Sequence, residues 1–129
     1  MRKFRPNIVV APSADSEELE AFEEDFWGEM EVGGTKVVLT ANCGRCRSVN
    51  VDFETGKHVD NDRQPLKKMM KDRRVDTGLK FSPVFGRYGF AVGEGEMVLS
   101  VGDEVTITKR NEERTEFCRF PSWRMGRCG

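Results

Sequence analysis

Val37-Val38-Leu39-Thr40-Ala41-Asn42-Cys43-Gly44-Arg45-Cys46-Arg47-Ser48-Val49-Asn50-Val51-Asp52-Phe53-Glu54-Thr55-Gly56 runs from an alternating segment into a cysteine pair and out through a turn. Thr35, Val37, Leu39 and Ala41 alternate with Lys36, Val38 and Thr40, so the spacing predicts a strand with one apolar face. Just upstream, Val32-Gly33-Gly34-Thr35 predicts a hairpin, because two glycines tolerate the positive φ that a tight primed turn demands. Ser48 to Val51 is expected to continue as strand, and Asp52 to Gly56 to close as a turn. The strand therefore delivers Cys43-Gly44-Arg45-Cys46 to one end of a sheet.

A thiolate is the reactive and metal-binding form of cysteine, and Arg45 and Arg47 on either side of Cys46 favour that form. Gly44 lets the backbone come close to a ligand. A single C-x-x-C fits half a zinc site, a redox pair, or two inert buried thiols. Zinc would need Cys43 and Cys46 together with two of Cys118, Cys128 and His58, and the second half has no C-x-x-C. A thioredoxin-like role is weaker still, since no βαβ pattern surrounds the pair.

Working outward, Arg5-Pro6-Asn7 before Ile8-Val9-Val10 predicts a turn entering a buried strand. Arg5 and Asn7 are either plain surface residues or contacts for an anion and a polar heterocycle, given the donor fork of one and the paired donor and acceptor of the other. Asp15 to Glu31 holds nine carboxylates and no lysine or arginine. Most of that run reads as a solvated face. Glu24-Asp25-Phe26-Trp27 differs, because Phe22, Phe26 and Trp27 give it an apolar anchor at helical spacing.

Beyond the turn, Asn61 or Asp62 is placed to cap one short helix near residues 64 to 73, with Pro65 in its first turn. Leu66, Met69 and Met70 form its apolar stripe, and Lys67, Lys68, Lys71, Arg73 and Arg74 a solvated basic face. Phe81 to Val92 reads as a loop entering a strand, with Phe85 and Tyr88 as core. Gly93-Glu94-Gly95 turns into Met97 to Val101, and Val101-Gly102-Asp103 turns into a last strand, Glu104 to Lys109. The fold expected is mainly β, an antiparallel β-barrel-like domain with one or two short helices.

The chain has 129 residues, suited to one domain. A formal net charge of -1 argues against nucleic acid as the main partner, so any anion site must be local. No apolar run approaches the roughly 20 residues of a membrane span. Four cysteines could form disulfides, but the N-terminus lacks the apolar region of a secretory signal. Free or metal-bound thiols in an intracellular setting, cytoplasmic or mitochondrial, are expected.

Four patches together carry a resemblance: Phe4-Arg5-Pro6-Asn7-Ile8-Val9-Val10, Glu24-Asp25-Phe26-Trp27, Cys43-Gly44-Arg45-Cys46 through Gly56, and Val101-Gly102-Asp103. In this order and spacing the chain resembles the C-terminal part of the MOSC domain found in molybdenum cofactor sulfurases and amidoxime-reducing components, over roughly residues 3 to 109. The resemblance implies a partial MOSC domain over 1–109 and an extension over 110–129, partly disordered or packed on the domain. It implies a molybdenum cofactor of the molybdopterin type, with Cys46 as metal ligand and catalytic thiolate. Arg5 and Asn7 would hold phosphate and pterin, with Asp25 and Arg45 as further cofactor-binding residues. Cys43 would play a supporting part.

In that family the reaction is reduction of N-hydroxylated compounds, with electrons from a haem or flavin partner protein. Pyridoxal phosphate binding is a further family-level association. Phe53 stands where the family usually has proline. Family enzymes also carry an N-terminal domain and earlier strands before the Arg5-Pro6-Asn7 patch. The lone chain is therefore expected to hold the cofactor weakly or not at all. Two other readings accompany this one: a non-enzymatic sulfur carrier with a persulfide on Cys46, or a truncated inactive fragment.

Overall fold

The Gly33-Gly34 turn joins β1 (Trp27–Val32) to β2 (Thr35–Gly44), with φ of 54° and 79° at the two glycines. Those values lie in the left-handed region that glycine occupies without steric cost. The computed structural model describes residues 2–14, 18–94 and 96–117. β3 (Val84–Val92) and β4 (Val105–Arg110) complete a four-stranded antiparallel sheet in the order β3-β2-β1-β4. Among the described residues, one helix, α1 (Pro65–Asp72), and four short 3-10 turns accompany it.

Alternation places Met30 and Val32 of β1 and Val37 and Leu39 of β2 on one face, where with Trp27 they form the buried core. Val10, Leu19, Leu99, Val105 and Ile107 pack against this cluster. Fully burying one such side chain contributes about 1.5–3 kcal/mol. Between Leu39 and Ala41 the β2–β3 register shifts, and a second shift falls between Asn42 and Gly44. The irregularity breaks the alternation, so consecutive Asn42 and Cys43 are both buried.

The sheet is mainly β and antiparallel as expected, but it is open. β3 and β4 are its two edges, and among the described residues no strand bridges them to close a barrel. Three expected strands are absent. Ile8 to Val10 has no ladder partner among the described residues; the segment lies against the core through Val10 while Ile8 and Val9 stay exposed. Arg47–Asn50 is a 3-10 turn, in which the consecutive Val49 and Asn50 are both buried. Only an isolated bridge, Val51 to His58, remains there. Residues 97 to 101 are likewise unpaired, with Leu99 on the core and Val98 and Val101 exposed.

The helix forms where expected, but its start is held differently. Gln64 is the capping position with no side-chain cap of its own, and the Leu66 N–H donates instead to Asn50 Oδ1 at 3.1 Å. Asn50 also donates to Gln64 Oε1 at 3.2 Å. A distant asparagine thus satisfies an orphan donor of the first turn. The Asp52 turn forms as read from sequence: Asp52 Oδ1 accepts from the backbone N–H of Glu54 and Thr55, and Gly56 takes φ 67°.

Candidate functional site

Arg45 sits at the end of β2 with its guanidinium turned onto backbone carbonyls. Nε and one terminal nitrogen donate to the Phe85 carbonyl at 2.8 and 2.5 Å, and the other terminal nitrogen donates to the Phe4 carbonyl at 2.8 Å. Phe4 stacks on Phe85 with ring centroids 4.4 Å apart, and the Arg45 cation lies 5.4 Å from the Phe4 ring centroid. Arg45 therefore fastens the N-terminal segment to β3. Arg5 takes φ 47°, uncommon for a residue with a side chain, and it and Asn7 are exposed.

Between this N-terminal segment and the sheet face lies a cleft of about 980 Å³. Arg5, Asn7, Arg45, Cys43, Tyr88 and Arg87 line it together with apolar residues of the core face. Cys43 is buried. Tyr88, expected in the core, is half exposed on edge strand β3. Its hydroxyl is pushed above the usual phenol value, first by its hydrogen bond to Cys43 and then by that thiol's charge.

Cys46 is exposed and is not among the residues lining the cleft. It precedes the Arg47–Asn50 turn, and its Sγ lies 3.2 Å from Ser48 Oγ. The Ser48 hydroxyl is the largest influence holding the Cys46 thiol below its ordinary value, followed by the Ser48 backbone N–H. Slight burial opposes this, and the Arg5 charge assists. The acidifying cation is thus Arg5, and not Arg45 or Arg47 as the flanking sequence suggested.

Asp25 is fully buried in the 3-10 turn Glu23–Phe26. Arg73 donates to its two oxygens at 2.8 and 3.0 Å, and Arg114 Nε donates to Oδ2 at 2.9 Å. Arg73 lies 3.8 Å from the Phe22 ring centroid and Arg114 4.7 Å from that of Phe26. Arg73, read from sequence as part of a solvated face, is buried just past α1, where Nε donates to the Val84 carbonyl. A second buried acid, Asp76, accepts from Asn42 Nδ2 at 2.7 Å and from the Phe117 N–H at 3.0 Å. Asn42 Nδ2 also donates to the Thr115 carbonyl.

The sequence reading missed Asn42, Arg73, Asp76, Arg87, Arg114 and Ser48. One signal was available: a carboxylate next to Phe26 and Trp27 needs a cation if it is buried, and none lies within its own acidic run. Among the described residues no group of three or more His, Cys, Asp or Glu side chains is gathered to hold a metal. Cys118 and Cys128 of the zinc alternative lie outside the described residues. No helix among the described residues is long and apolar enough to cross a membrane.

A family model described as MOSC domain matches residues 1–106. The chain is 37% identical over 103 residues to "Mitochondrial amidoxime-reducing component 1" of Danio rerio, covering 80% of this chain and 29% of that protein. It is 38% identical over 109 residues to "Mitochondrial amidoxime reducing component 2" of Rattus norvegicus, covering 81% and 29%. To "Molybdenum cofactor sulfurase" of Botryotinia fuckeliana it is 27% identical over 110 residues, covering 81% and 13%. The chain spans less than a third of the length of these relatives.

Proposed function

Because the chain belongs to the MOSC domain family, we propose that it is a molybdenum-cofactor-binding module of an amidoxime-reductase-like oxidoreductase, with Cys46 as the molybdenum ligand. The observation that supports this is the state of Cys46: an exposed thiol, acidified by the Ser48 hydroxyl and the Arg5 charge, at the end of the strand that opens the site. A ligating cysteine binds as thiolate, so a lowered proton affinity suits the donor set to a thiophilic metal. Arg5 and Asn7 are exposed beside the cleft and would bind phosphate and pterin. When bound, the cofactor supplies the redox step, and the chain binds and orients it.

Asp25 and Arg45 enter this proposal indirectly. Their polar atoms are engaged by Arg73 and Arg114 and by the Phe4 and Phe85 carbonyls, so Arg45 contributes by fastening the backbone next to Arg5, and Asp25 by holding Arg73 and Arg114 in place. Electrons would come from a haem or flavin partner protein, and the remaining cradle from an N-terminal portion of the longer architecture seen in the relatives. A mitochondrial setting accords with the names of the amidoxime-reducing relatives. The 110–129 stretch is an extension to the domain in this reading.

The exposure of Cys46 outside the cleft favours a second reading, in which the thiolate carries sulfur as a persulfide. Elemental analysis of the chain combined with the N-terminal portion of the longer architecture, after expression in a host that makes the cofactor, separates the two. Molybdenum that disappears in Cys46→Ala supports the ligand role. Reductant-releasable sulfur on Cys46 without molybdenum supports the carrier and overturns the first reading.

A further inference from the structure

The segment 111–117 that follows β4 is tied down by polar contacts. The Asn111 N–H donates to the Phe26 carbonyl at 2.7 Å, and Arg114 pairs with Asp25 at 2.9 Å. The Thr115 carbonyl accepts from Asn42 Nδ2 at 2.5 Å, and its Oγ1 accepts from Arg87 at 2.9 Å. Glu116 accepts from Thr77 Oγ1, and the Phe117 N–H donates to Asp76 at 3.0 Å. Glu112, Glu113, Arg114 and Glu116 are exposed, and no residue of the segment belongs to the apolar core cluster. A stretch held by partly solvated polar contacts outside the core opens at lower cost than the sheet it lies on.

What these contacts hold is the end of β2 around buried Cys43. Asn42, the residue before it, is fixed by the Thr115 carbonyl and by Asp76. Asp76 in turn accepts from the Phe117 N–H and caps the 3-10 turn Thr77–Leu79 through the Gly78 N–H at 2.9 Å. Leu79 of that turn sits against Gly44, the residue after Cys43, where a Cβ would meet its Cδ1 at 3.0 Å. The neighbours on both sides of Cys43 therefore depend on the segment, one directly and one through a single turn. We propose that residues 111–117 form a detachable strap that keeps Cys43 buried, and that its release opens this thiol beside Cys46 while the sheet stays folded. Docked, the strap leaves Cys46 alone exposed; released, it presents both thiols of the pair. The device acts on thiol access and needs no molybdenum, so it stands or falls separately from the cofactor reading.

One methyl group tests this in the full chain. A Cβ on Gly78 would overlap the Phe117 carbonyl oxygen, and Gly78 has no positive φ that would strain alanine, so Gly78→Ala evicts the strap. Exchange of the Phe117 amide hydrogen should speed up, and iodoacetamide labelling of Cys43, read site by site by mass spectrometry, should rise about tenfold, the size expected for losing a hydrogen bond or two. Cys46, held by Ser48 and already exposed, should keep its labelling rate, and the amides of the β1–β2 ladder should keep their protection. Phe117→Pro removes the N–H that Asp76 accepts and should raise Cys43 labelling in the same way, which decides the matter if Gly78→Ala does not fold. A Phe117 amide that stays protected in Gly78→Ala would show that the strap is not seated on the Thr77–Leu79 turn, and would overturn the proposal. So would unchanged Cys43 labelling in a folded variant, or loss of the β1–β2 ladder in both variants, since the segment would then be part of the core.

Discussion

Removing the Asp25 carboxylate leaves the Arg73 guanidinium buried with no counter-charge, and Arg114 without its partner. Breaking a buried pair from one side costs about 3–5 kcal/mol, so Asp25→Ala should lose that much stability in urea unfolding. A loss under about 1 kcal/mol would mean that water already reaches the pair. Cys46 makes a separate prediction at this scale. Because its proton affinity is lowered, its thiolate persists to lower pH than that of an ordinary thiol. Iodoacetamide should therefore label Cys46 ahead of buried Cys43, with a pH midpoint below that of free cysteine. Ser48→Ala should move the midpoint up, and mass spectrometry across a pH series reads the shift; an unmoved midpoint would remove Ser48 from the account. Sequence spacing exposed Cys46 as the candidate, since its motif is local. It could not show that Ser48 and Arg5 set the acidity, because that depends on how a turn folds after the strand.

The elements that were legible are those whose signal is contained within them. The glycine turn, the alternating β2 and the Pro65 helix each carry their own pattern and form within a few residues of the expected bounds. The segments misread as strands, Ile8 to Val10, Ser48 to Val51 and Met97 to Val101, are apolar enough for a sheet, but pairing depends on whether an edge is available to them. Two substitutions test the elements. Gly34→Ala places a Cβ in open space and pays only for its positive φ, about 1 kcal/mol, whereas Gly33→Ala adds a contact 2.9 Å from Asp103 Oδ2. Thermal melts should show both destabilised, Gly33→Ala the more. Asn50→Ala removes the acceptor for the Leu66 N–H and should cost about 1 kcal/mol, with helix loss seen by circular dichroism. An unchanged melt would assign the start of α1 to water instead.

At the scale of the whole molecule, the four cofactor-binding residues inferred from resemblance divide into two free and two engaged. Arg5 and Asn7 are exposed, whereas Arg45 and Asp25 are tied to protein partners. A phosphate and a large pterin need several convergent donors, so the lone 129-residue chain should retain well under one molybdenum per chain after expression in a cofactor-producing host. Near-stoichiometric metal would show that the free pair suffices. The polar core also crosses long distances in sequence: Arg73 lies 48 residues from Asp25, and Arg114 lies 89. These links were hidden because nothing local in the sequence marks a partner so far away. On a ribosome adding about 5–20 residues per second, the Asp25 carboxylate waits roughly 4 to 18 s between its own synthesis and that of its last arginine. Thr115 and Phe117, which engage Asn42 and Asp76, are made later still. The nascent hairpin therefore emerges before its interior charge can be neutralised, and assembly of the polar core is deferred until the C-terminal segment has been translated.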